Sequence, residues 1–280
     1  PVYEDHFYTR EELEYVEKEK VLKVAYVAGR KPLSFTNDKG EFDGISREIF
    51  DQIAEYSGLK FEYVELPDGM ITYEYLQEQK IDLITGVEYN SANMNSDGVF
   101  LSRPYISARK VMVSRPEFVY IPGENYKLAI IEGSKTFTAV LNDKYPHLEI
   151  VEYKTVGDCF RAVFTGEADL LLQNQYVVEG VLGKPVYSTF KVIPMEGIED
   201  ELCFSSVVPL DGGHGLSETE SSVVISLINK AISEITKELE EQTGRKLKEV
   251  CIAAAGRVLN TASAFAEAEF DEEVVVDEEI

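Results

Sequence analysis

The sequence predicts an α/β fold built from two similar lobes, and three observations lead to that prediction. Buried strands and amphipathic helices alternate along most of the chain, which is typical of parallel sheets with helical crossovers. The alternation starts near residue 21 and starts again near residue 128. A further strand and a long helix follow the second series, and we expect them to return to the first lobe.

The first series of elements follows a short acidic helix. Residues 9–20 begin with a capping-box pattern, in which Thr9 is the N-cap and Glu12 stands three residues later. The patterns predict strands at 21–28, 60–66 and 81–85 and helices at 45–57 and 73–79. Gly58 ends the second helix, because glycine readily adopts the left-handed conformation at a helix C-terminus.

The second series repeats this organisation. Its patterns predict strands at 128–131, 148–153 and 168–172 and helices at 134–142 and 156–164. The stretch 106–113 joins the lobes, a return lies near 195–204, and a strand at 202–209 and an amphipathic helix at 220–241 follow. The predicted domains are an N-terminal acidic helix (1–20), lobe 1 (21–107 and 198–242), lobe 2 (108–197), and a C-terminal helix with an acidic tail (243–280).

Composition argues against several classes of partner. The formal net charge is −24 and no Lys/Arg cluster is present, so we expect neither nucleic acid nor an anionic lipid surface as a partner. No apolar stretch approaches the roughly 20 residues of a membrane helix, so we expect no membrane insertion of this segment. The three cysteines are far apart and form no CxxC pair, so neither a disulfide framework nor a zinc knuckle is predicted. We also expect no other metal site and no cofactor. Because the chain starts with Pro1, we expect that a signal peptide or an anchor has been removed.

Five stretches of the sequence carry a resemblance to a known family. They are Leu22–Tyr26 with Pro32, Gly40–Ile45, Lys80–Gly86, Leu101–Tyr105 and Gly166–Asp169. In this order across residues 20–242, they make the chain similar to the family 3 extracellular solute-binding proteins, which have the type II periplasmic-binding fold. The resemblance implies two α/β lobes with a double crossover hinge, which close over a small polar solute.

The resemblance also implies a location and two kinds of partner. The family includes receptors of ABC importers for amino acids and other polar solutes, and sensor ectodomains of membrane-bound kinases and cyclic-dinucleotide synthases. The stretch Leu172–Val177 is more similar to the sensor branch. We therefore expect an extracytoplasmic domain, in the periplasm or at the cell surface, whose partner is a membrane permease or a fused signalling domain. A membrane tether in the full-length protein is compatible with either partner.

Two other functions remain as alternatives. One is an enzyme on the same fold, similar to lytic transglycosylases or prephenate-type dehydratases, in which paired acids such as Asp68 and Glu88 meet in the cleft. The sequence offers little for catalysis, because its histidines are far apart and neither GxSxG nor a neighbouring Cys and His occurs. The other alternative is a structural ectodomain whose cleft no longer binds a ligand.

The candidate binding residues follow from the predicted sheet. Ligands of open α/β sheets bind beyond the carboxyl ends of the strands, so the loops after each strand should face the cleft. The candidates from these loops and the adjoining helix starts are Arg30, Phe35, Tyr73, Gly86, Glu88, Tyr89, Ser134, Lys135, Thr136, Asn174 and Tyr176. The aromatic candidates could stack on a ligand, and ordinary core packing is the alternative for each of them.

The turn at residues 133–136 has two interpretations. Its backbone N–H groups, its hydroxyls and the start of a helix could converge on an anion, or Ser134 could act only as an N-cap.

The charge pattern of the cleft differs from that of amino-acid binders in the family. Those members carry an Arg in a Thr-x-x-Arg pattern after the third strand, whereas residues 90–96 contain no Arg. Asn174 also stands where they carry an Asp for the ligand ammonium. We therefore expect a neutral or singly charged polar solute, with Arg30, Lys31, Arg103 or Lys135 as other sources of positive charge.

Overall fold

The structure is a computed structural model that describes residues 7–66, 73–88, 100–132, 135–209 and 212–243. The helices in these ranges are α1 (Arg10–Glu17), α2 (Ile45–Ser57), α3 (Tyr73–Glu78), α4 (Lys135–Lys144), α5 (Val156–Thr165), α6 (Gln175–Leu182) and α7 (Glu218–Thr243). The strands are β1 (Val21–Val27), β2 (Phe35–Thr36), β3 (Phe42–Asp43), β4 (Lys60–Leu66), β5 (Leu83–Glu88), β6 (Ile106–Ser114), β7 (Tyr126–Ile131), β8 (Leu148–Tyr153), β9 (Leu170–Asn174) and β10 (Lys191–Ser206).

One sheet of eight strands runs through the molecule in the order β4-β1-β5-β10-β6-β9-β7-β8. Strand β1 is parallel to β4 and β5, and strand β7 is parallel to β8 and β9. Between these two parallel half-sheets, β10 is antiparallel to both β5 and β6, and β6 is antiparallel to β9. This arrangement confirms the predicted two-lobed α/β fold with a double crossover.

In each of the two half-sheets, an aspartate that precedes a strand forms two hydrogen bonds with the backbone of the neighbouring strand. In the first, Asp82 precedes β5, its Oδ2 accepts the N–H of Lys23 at 2.9 Å, and its own N–H donates to the Lys23 carbonyl at 2.9 Å. In the second, Asp169 precedes β9, its Oδ2 accepts the N–H of Lys127 at 2.9 Å, and its N–H donates to the Lys127 carbonyl at 3.0 Å. Both aspartates belong to the stretches that carried the family resemblance, and both fix strand pairing.

The same aspartates explain a shift in two predicted strands. Strands predicted at 81–85 and 168–172 are β5 (Leu83–Glu88) and β9 (Leu170–Asn174). The residues before each strand make the aspartate contacts described above. Pairing with β1 therefore begins at Leu83, and pairing with β7 begins at Leu170. The predicted strand at 202–209 was wrong in its bounds, because it is the end of the long strand β10, which stops at Ser206.

Helices α1 and α7 lie on the side of the molecule that contains the first half-sheet, and they pack against each other. The predicted capping box is confirmed, since Thr9 and Glu12 exchange both hydrogen bonds at the start of α1. Glu12 is also buried, and its carboxylate accepts hydrogen bonds from Lys230 at 2.6 Å and from Ser226 at 2.7 Å. Helix α7 packs mainly against α2, the helix that follows β3 in the first series. The predicted C-terminal region 243–280 lies almost entirely outside the described residues.

Candidate functional site

The loop after β1 is held in place by the start of α2. The N–H groups of Ile45 and Ser46 donate to the carbonyls of Pro32 and Leu33 at 3.0 and 2.9 Å. Gly44 has φ +112°, and a Cβ there would lie 2.7 Å from both carbonyl oxygens. Only glycine therefore permits this docking, and the residues that follow β1 acquire a fixed position at the carboxyl edge of the sheet.

Strand β5 meets the loop after β1 at Gly86, which lies inside the strand and not after it as predicted. The N–H of Gly86 donates to the hydroxyl of Tyr105 at 2.9 Å, and Gly86 has φ +70°. Tyr105 is buried beside the rings of Phe50 and Phe204, and this burial raises the pKa of its hydroxyl above the ordinary range. A Cβ on Gly86 would lie 3.5 Å from Nη1 of Arg30, so the guanidinium lies directly beside this glycine.

Phe35 and its neighbours form the outer part of the same loop. Phe35 is half-buried and pairs with Asp43 in the small β2–β3 sheet. The ammonium group of Lys31 lies 4.9 Å from the centre of the Phe35 ring, which is within the range of a cation–π contact. The Ser34 hydroxyl donates to the Val27 carbonyl at 2.7 Å and fixes the exit from β1.

Asn174 and Tyr176 lie at the carboxyl end of β9, where the strand passes directly into α6. Asn174 is 1% exposed and caps the helix, since its Oδ1 accepts the N–H of Tyr176 at 2.9 Å. The N–H of Asn174 donates to Oε1 of Gln173 at 2.7 Å. Asn174 thus has a structural role at this junction, and its predicted contact with a ligand stays a prediction.

Helix α6 closes onto the loop that follows β1. A Cβ on Gly180 would lie 2.9 Å from the carbonyl oxygen of Lys31 and 3.0 Å from Cδ of Pro32. The two backbones therefore touch across the cleft. Val178 of α6 and Val24 of β1 belong to one hydrophobic cluster, so apolar packing also joins the two half-sheets. The described conformation is a closed one at this point of the cleft.

The structure brings some of the predicted binding residues together and leaves others undescribed. Arg30 lies beside Gly86, and Phe35 follows in the same segment after β1, whereas Asn174 and Tyr176 lie at the junction of β9 and α6. The remaining candidates fall outside the described residues, either entirely (Tyr89 and Ser134) or as side chains (Tyr73, Glu88, Lys135 and Thr136). Both interpretations of the turn at 133–136 therefore remain predictions.

Sequence reasoning missed two residues that shape this region, Gly180 and Lys110, while Tyr105 was considered only as an aromatic residue near the cleft loops. Tyr105 anchors Gly86, and Gly180 allows the contact between the half-sheets. Helix α6, which contains Gly180, was not predicted; an isolated glycine within a helical pattern is the signal that could have pointed to close packing there. Lys110 pairs with Asn174 in the sheet and so lies at the carboxyl end of β9. Its strand was predicted only as a connection between lobes, and no pattern pointed to this residue.

Two surface cavities lie away from the cleft. One, of about 570 Å³, is lined at the amino ends of β7 and β8 by residues such as Lys127 and His147. The other, of about 520 Å³, runs along α7 beside Arg103 and Asn229. Within the described ranges, no cluster of three or more His, Cys, Asp or Glu side chains could hold a metal ion. None of the helices in those ranges combines the length and hydrophobicity needed to cross a membrane.

Comparison with known proteins identifies the family. Residues 22–246 match the model of the bacterial extracellular solute-binding proteins, family 3. The chain therefore belongs to this family, which binds solutes and is not a family of enzymes.

Similar sequences occur in two sensor proteins. The virulence sensor protein BvgS of Bordetella bronchiseptica is 22% identical over 243 residues, which is 82% of this chain and 18% of the relative. The sensor protein EvgS of Escherichia coli K12 is 24% identical over 170 residues, which is 60% of this chain and 14% of the relative. The chain thus spans only 14 to 18% of the length of these curated relatives.

Similar solved structures show the same two-lobed fold. The periplasmic VFT2 domain of Bordetella pertussis BvgS superposes with a TM-score of 0.69 at 20% identity, covering 85% of this chain and 98% of that domain. An ancestral arginine-binding protein bound to arginine superposes with a TM-score of 0.61 at 19% identity, covering 79% of this chain and 97% of that protein. At this identity the likeness concerns the fold.

Proposed function

We propose that the chain is the extracytoplasmic ligand-binding domain of a membrane-bound sensor, and that it binds a small polar solute by closure of its cleft. The observation that carries the proposal is the direct contact of Gly180 with the Lys31–Pro32 loop, which joins the half-sheets at the carboxyl ends of their strands. The similarity to two sensor proteins, of which the chain spans a small part, supports a fused signalling domain as its partner.

Cleft closure gives the fold a way to report binding. A ligand shifts a two-state equilibrium only by its differential affinity for the two states, so it must contact both half-sheets to favour closure. Arg30 and Phe35 supply contacts from the first half-sheet, and Tyr176 supplies a contact from the second. The two connecting strands carry the change in angle to whatever follows in the full protein.

A receptor of an ABC importer is the second candidate, with a membrane permease as its partner. The substrate-binding protein of an amino acid ABC transporter superposes with a TM-score of 0.60 at 20% identity and covers 80% of this chain. The full-length coding sequence distinguishes the two candidates, because a signalling domain downstream of a membrane helix supports the sensor.

A thermal-shift screen against a solute library tests solute binding itself. A ligand stabilises the folded state by RT ln(1 + [L]/Kd), so at 100 times Kd the gain is about 2.7 kcal/mol. We expect at least one polar solute to raise the melting temperature. If the solute is also consumed, as followed by NMR of the mixture, the enzyme alternative replaces this proposal. If no solute of any class shifts the melting temperature, the idea of a degenerate cleft is favoured instead.

A further inference from the structure

Arg30 differs from the other half-buried arginines of the described residues. Arg47 pairs with Asp51 at 2.9 Å and also lies over the Tyr63 ring. Arg115 pairs with Glu117 at 3.0 Å and donates to two backbone carbonyls.

The guanidinium of Arg30 has neither an ion pair nor a hydrogen bond anywhere in the described ranges. The chain has 51 acidic residues, so a shortage of acids does not explain this.

An unpaired, partly buried cation is unfavourable for folding. Removing a charge from water without a compensating partner costs free energy, and such groups are normally paired. Arg30 follows β1, and its guanidinium lies beside Gly86 at the end of β5. Lys31, the next residue, supplies the carbonyl that contacts Gly180 of α6. Arg30 therefore lies where the two half-sheets meet, which is also where the proposed function places a ligand.

We propose that Arg30 binds an anionic group of the solute, so that the ligand of this cleft carries a carboxylate, sulfonate or phosphate. This proposal rests on the proposed function and specifies its ligand class. The planar guanidinium offers paired donors that match the oxygens of these groups, and such charge-assisted hydrogen bonds are stronger than neutral ones. The cation comes from the loop after β1, and not from the Thr-x-x-Arg position after the third strand, where this sequence has no Arg.

The proposal distinguishes a binding role of Arg30 from a structural one. Arg47 and Arg115 stabilise the fold through their partners, so replacing either should lower the melting temperature. Arg30→Gln removes no hydrogen bond or ion pair of the guanidinium within the described ranges, and it removes a partly desolvated charge. We therefore expect the melting temperature of the ligand-free Arg30→Gln protein to equal or exceed that of the wild type. A marked decrease would show that Arg30 is structural and would overturn the proposal.

The ligand class is tested with matched pairs of acids and their neutral analogues. The probes are propionate, succinate and benzoate with their primary amides, methanesulfonate with methanesulfonamide, and inorganic phosphate, together with a wider library of neutral, anionic and cationic solutes. The full chain is used at constant ionic strength, because salt screens exposed charges. We expect at least one anion, and not its neutral analogue, to raise the melting temperature. Calorimetric titration then gives its affinity.

The variants decide which residue binds the anion. Arg30→Gln should weaken binding of that anion roughly 10- to 150-fold, as expected for loss of a charge-assisted hydrogen bond, and Arg30→Lys should retain part of the affinity. The control is Arg161→Gln, which removes the same charge from an exposed position on α5. Equal binding by Arg30→Gln and wild type would overturn the proposal.

Two further results separate this proposal from the proposed function. If only neutral or cationic solutes stabilise the protein, the anionic ligand class is wrong while solute binding stands. If no solute of any charge does so, both the ligand class and the proposed function are wrong.

Discussion

Gly180→Ala tests whether the contact between α6 and the Lys31–Pro32 loop controls closure of the cleft. The added Cβ would lie 2.9 Å from the Lys31 carbonyl oxygen and 3.0 Å from Cδ of Pro32. Ordinary van der Waals contacts of a Cβ are 3.4 Å or longer. Both opposing atoms belong to the backbone or a proline ring, so neither can rotate away, and the half-sheets must separate by several tenths of an ångström.

The expected effect follows from the free energy of overpacking. Inserting one carbon into a close-packed contact typically costs about 1–3 kcal/mol. Alanine is the better helix former by about 1 kcal/mol, so the helix itself should not be weakened. The cost therefore falls on the closed state relative to the open state. An affinity that depends on closure should decrease by roughly 5- to 150-fold.

Small-angle X-ray scattering and titration with a solute found by the screen are the assays. Gly180→Ala should give a larger radius of gyration than the wild type and a weaker affinity. Gly183→Ala is the matched control, because a Cβ there would lie 3.6 Å from the nearest atom, the Gly180 carbonyl oxygen. An unchanged scattering curve together with an unchanged affinity in Gly180→Ala would refute the role of this contact.

Buried polar groups give four further predictions. Tyr105→Phe removes the acceptor of the Gly86 N–H and should lower the free energy of unfolding in urea by about 1–3 kcal/mol, whereas an unchanged value would mean that water replaces the hydroxyl. Lys230→Met leaves the buried Glu12 carboxylate without its cation and should cost about 3 kcal/mol in the same assay. Burial raises the pKa of Glu12, but its hydrogen bonds, the largest from Lys230, lower it overall below 4.5. A carboxyl whose pKa is lower in the folded than in the unfolded state stabilises the protein at pH values above the pKa of the unfolded state. The difference in free energy of unfolding between wild type and Glu12→Gln should therefore shrink as the pH falls below about 4.5. A difference that stays constant with pH would contradict this. Burial raises the pKa of the Cys203 thiol to about 12. Iodoacetamide should therefore alkylate Cys203 at pH 8 only after unfolding in urea, as measured by peptide mass spectrometry. Rapid labelling of Cys203 in the native protein would contradict the burial of this thiol.

Much of the fold could be predicted because local patterns and tertiary packing agree. Helix α2 and strand β4 occur at the predicted residues, and Gly58 ends α2 in the left-handed conformation. The predicted connection at 106–113 is β6, and the predicted helix at 220–241 is α7, which is longer by two residues at each end. In these elements the apolar spacing, the caps and the buried faces all indicate the same structure.

The site was less predictable because its contacts join residues far apart in sequence. The sequence placed Arg30 and Gly86 in cleft loops, but it could not show that the guanidinium lies beside that glycine. The same limit applies to Gly180, whose close neighbours are about 150 residues earlier in the chain. Asn174 was nominated as a ligand contact because it follows the strand predicted at 168–172, but it is the last residue of β9. Its capping of α6 depends on the strand passing directly into the helix, which boundary prediction does not resolve.

The continuous sheet has a mechanical consequence for any opening and closing of the molecule. Strand β10 pairs with β5 of the first half-sheet, β6 pairs with β9 of the second, and β10 and β6 are hydrogen-bonded to each other. The two halves therefore cannot slide past one another without breaking the hydrogen bonds between β6 and β10. The halves can therefore move only by bending and twisting of the two-stranded ribbon that β6 and β10 form. Its compliance is concentrated where the register shifts, since residues 194–199 of β10 span only residues 111–109 of β6. A deletion that removes the extra residues of β10 at this irregularity would stiffen the ribbon and raise the work needed to change its curvature, without altering any of the candidate binding residues.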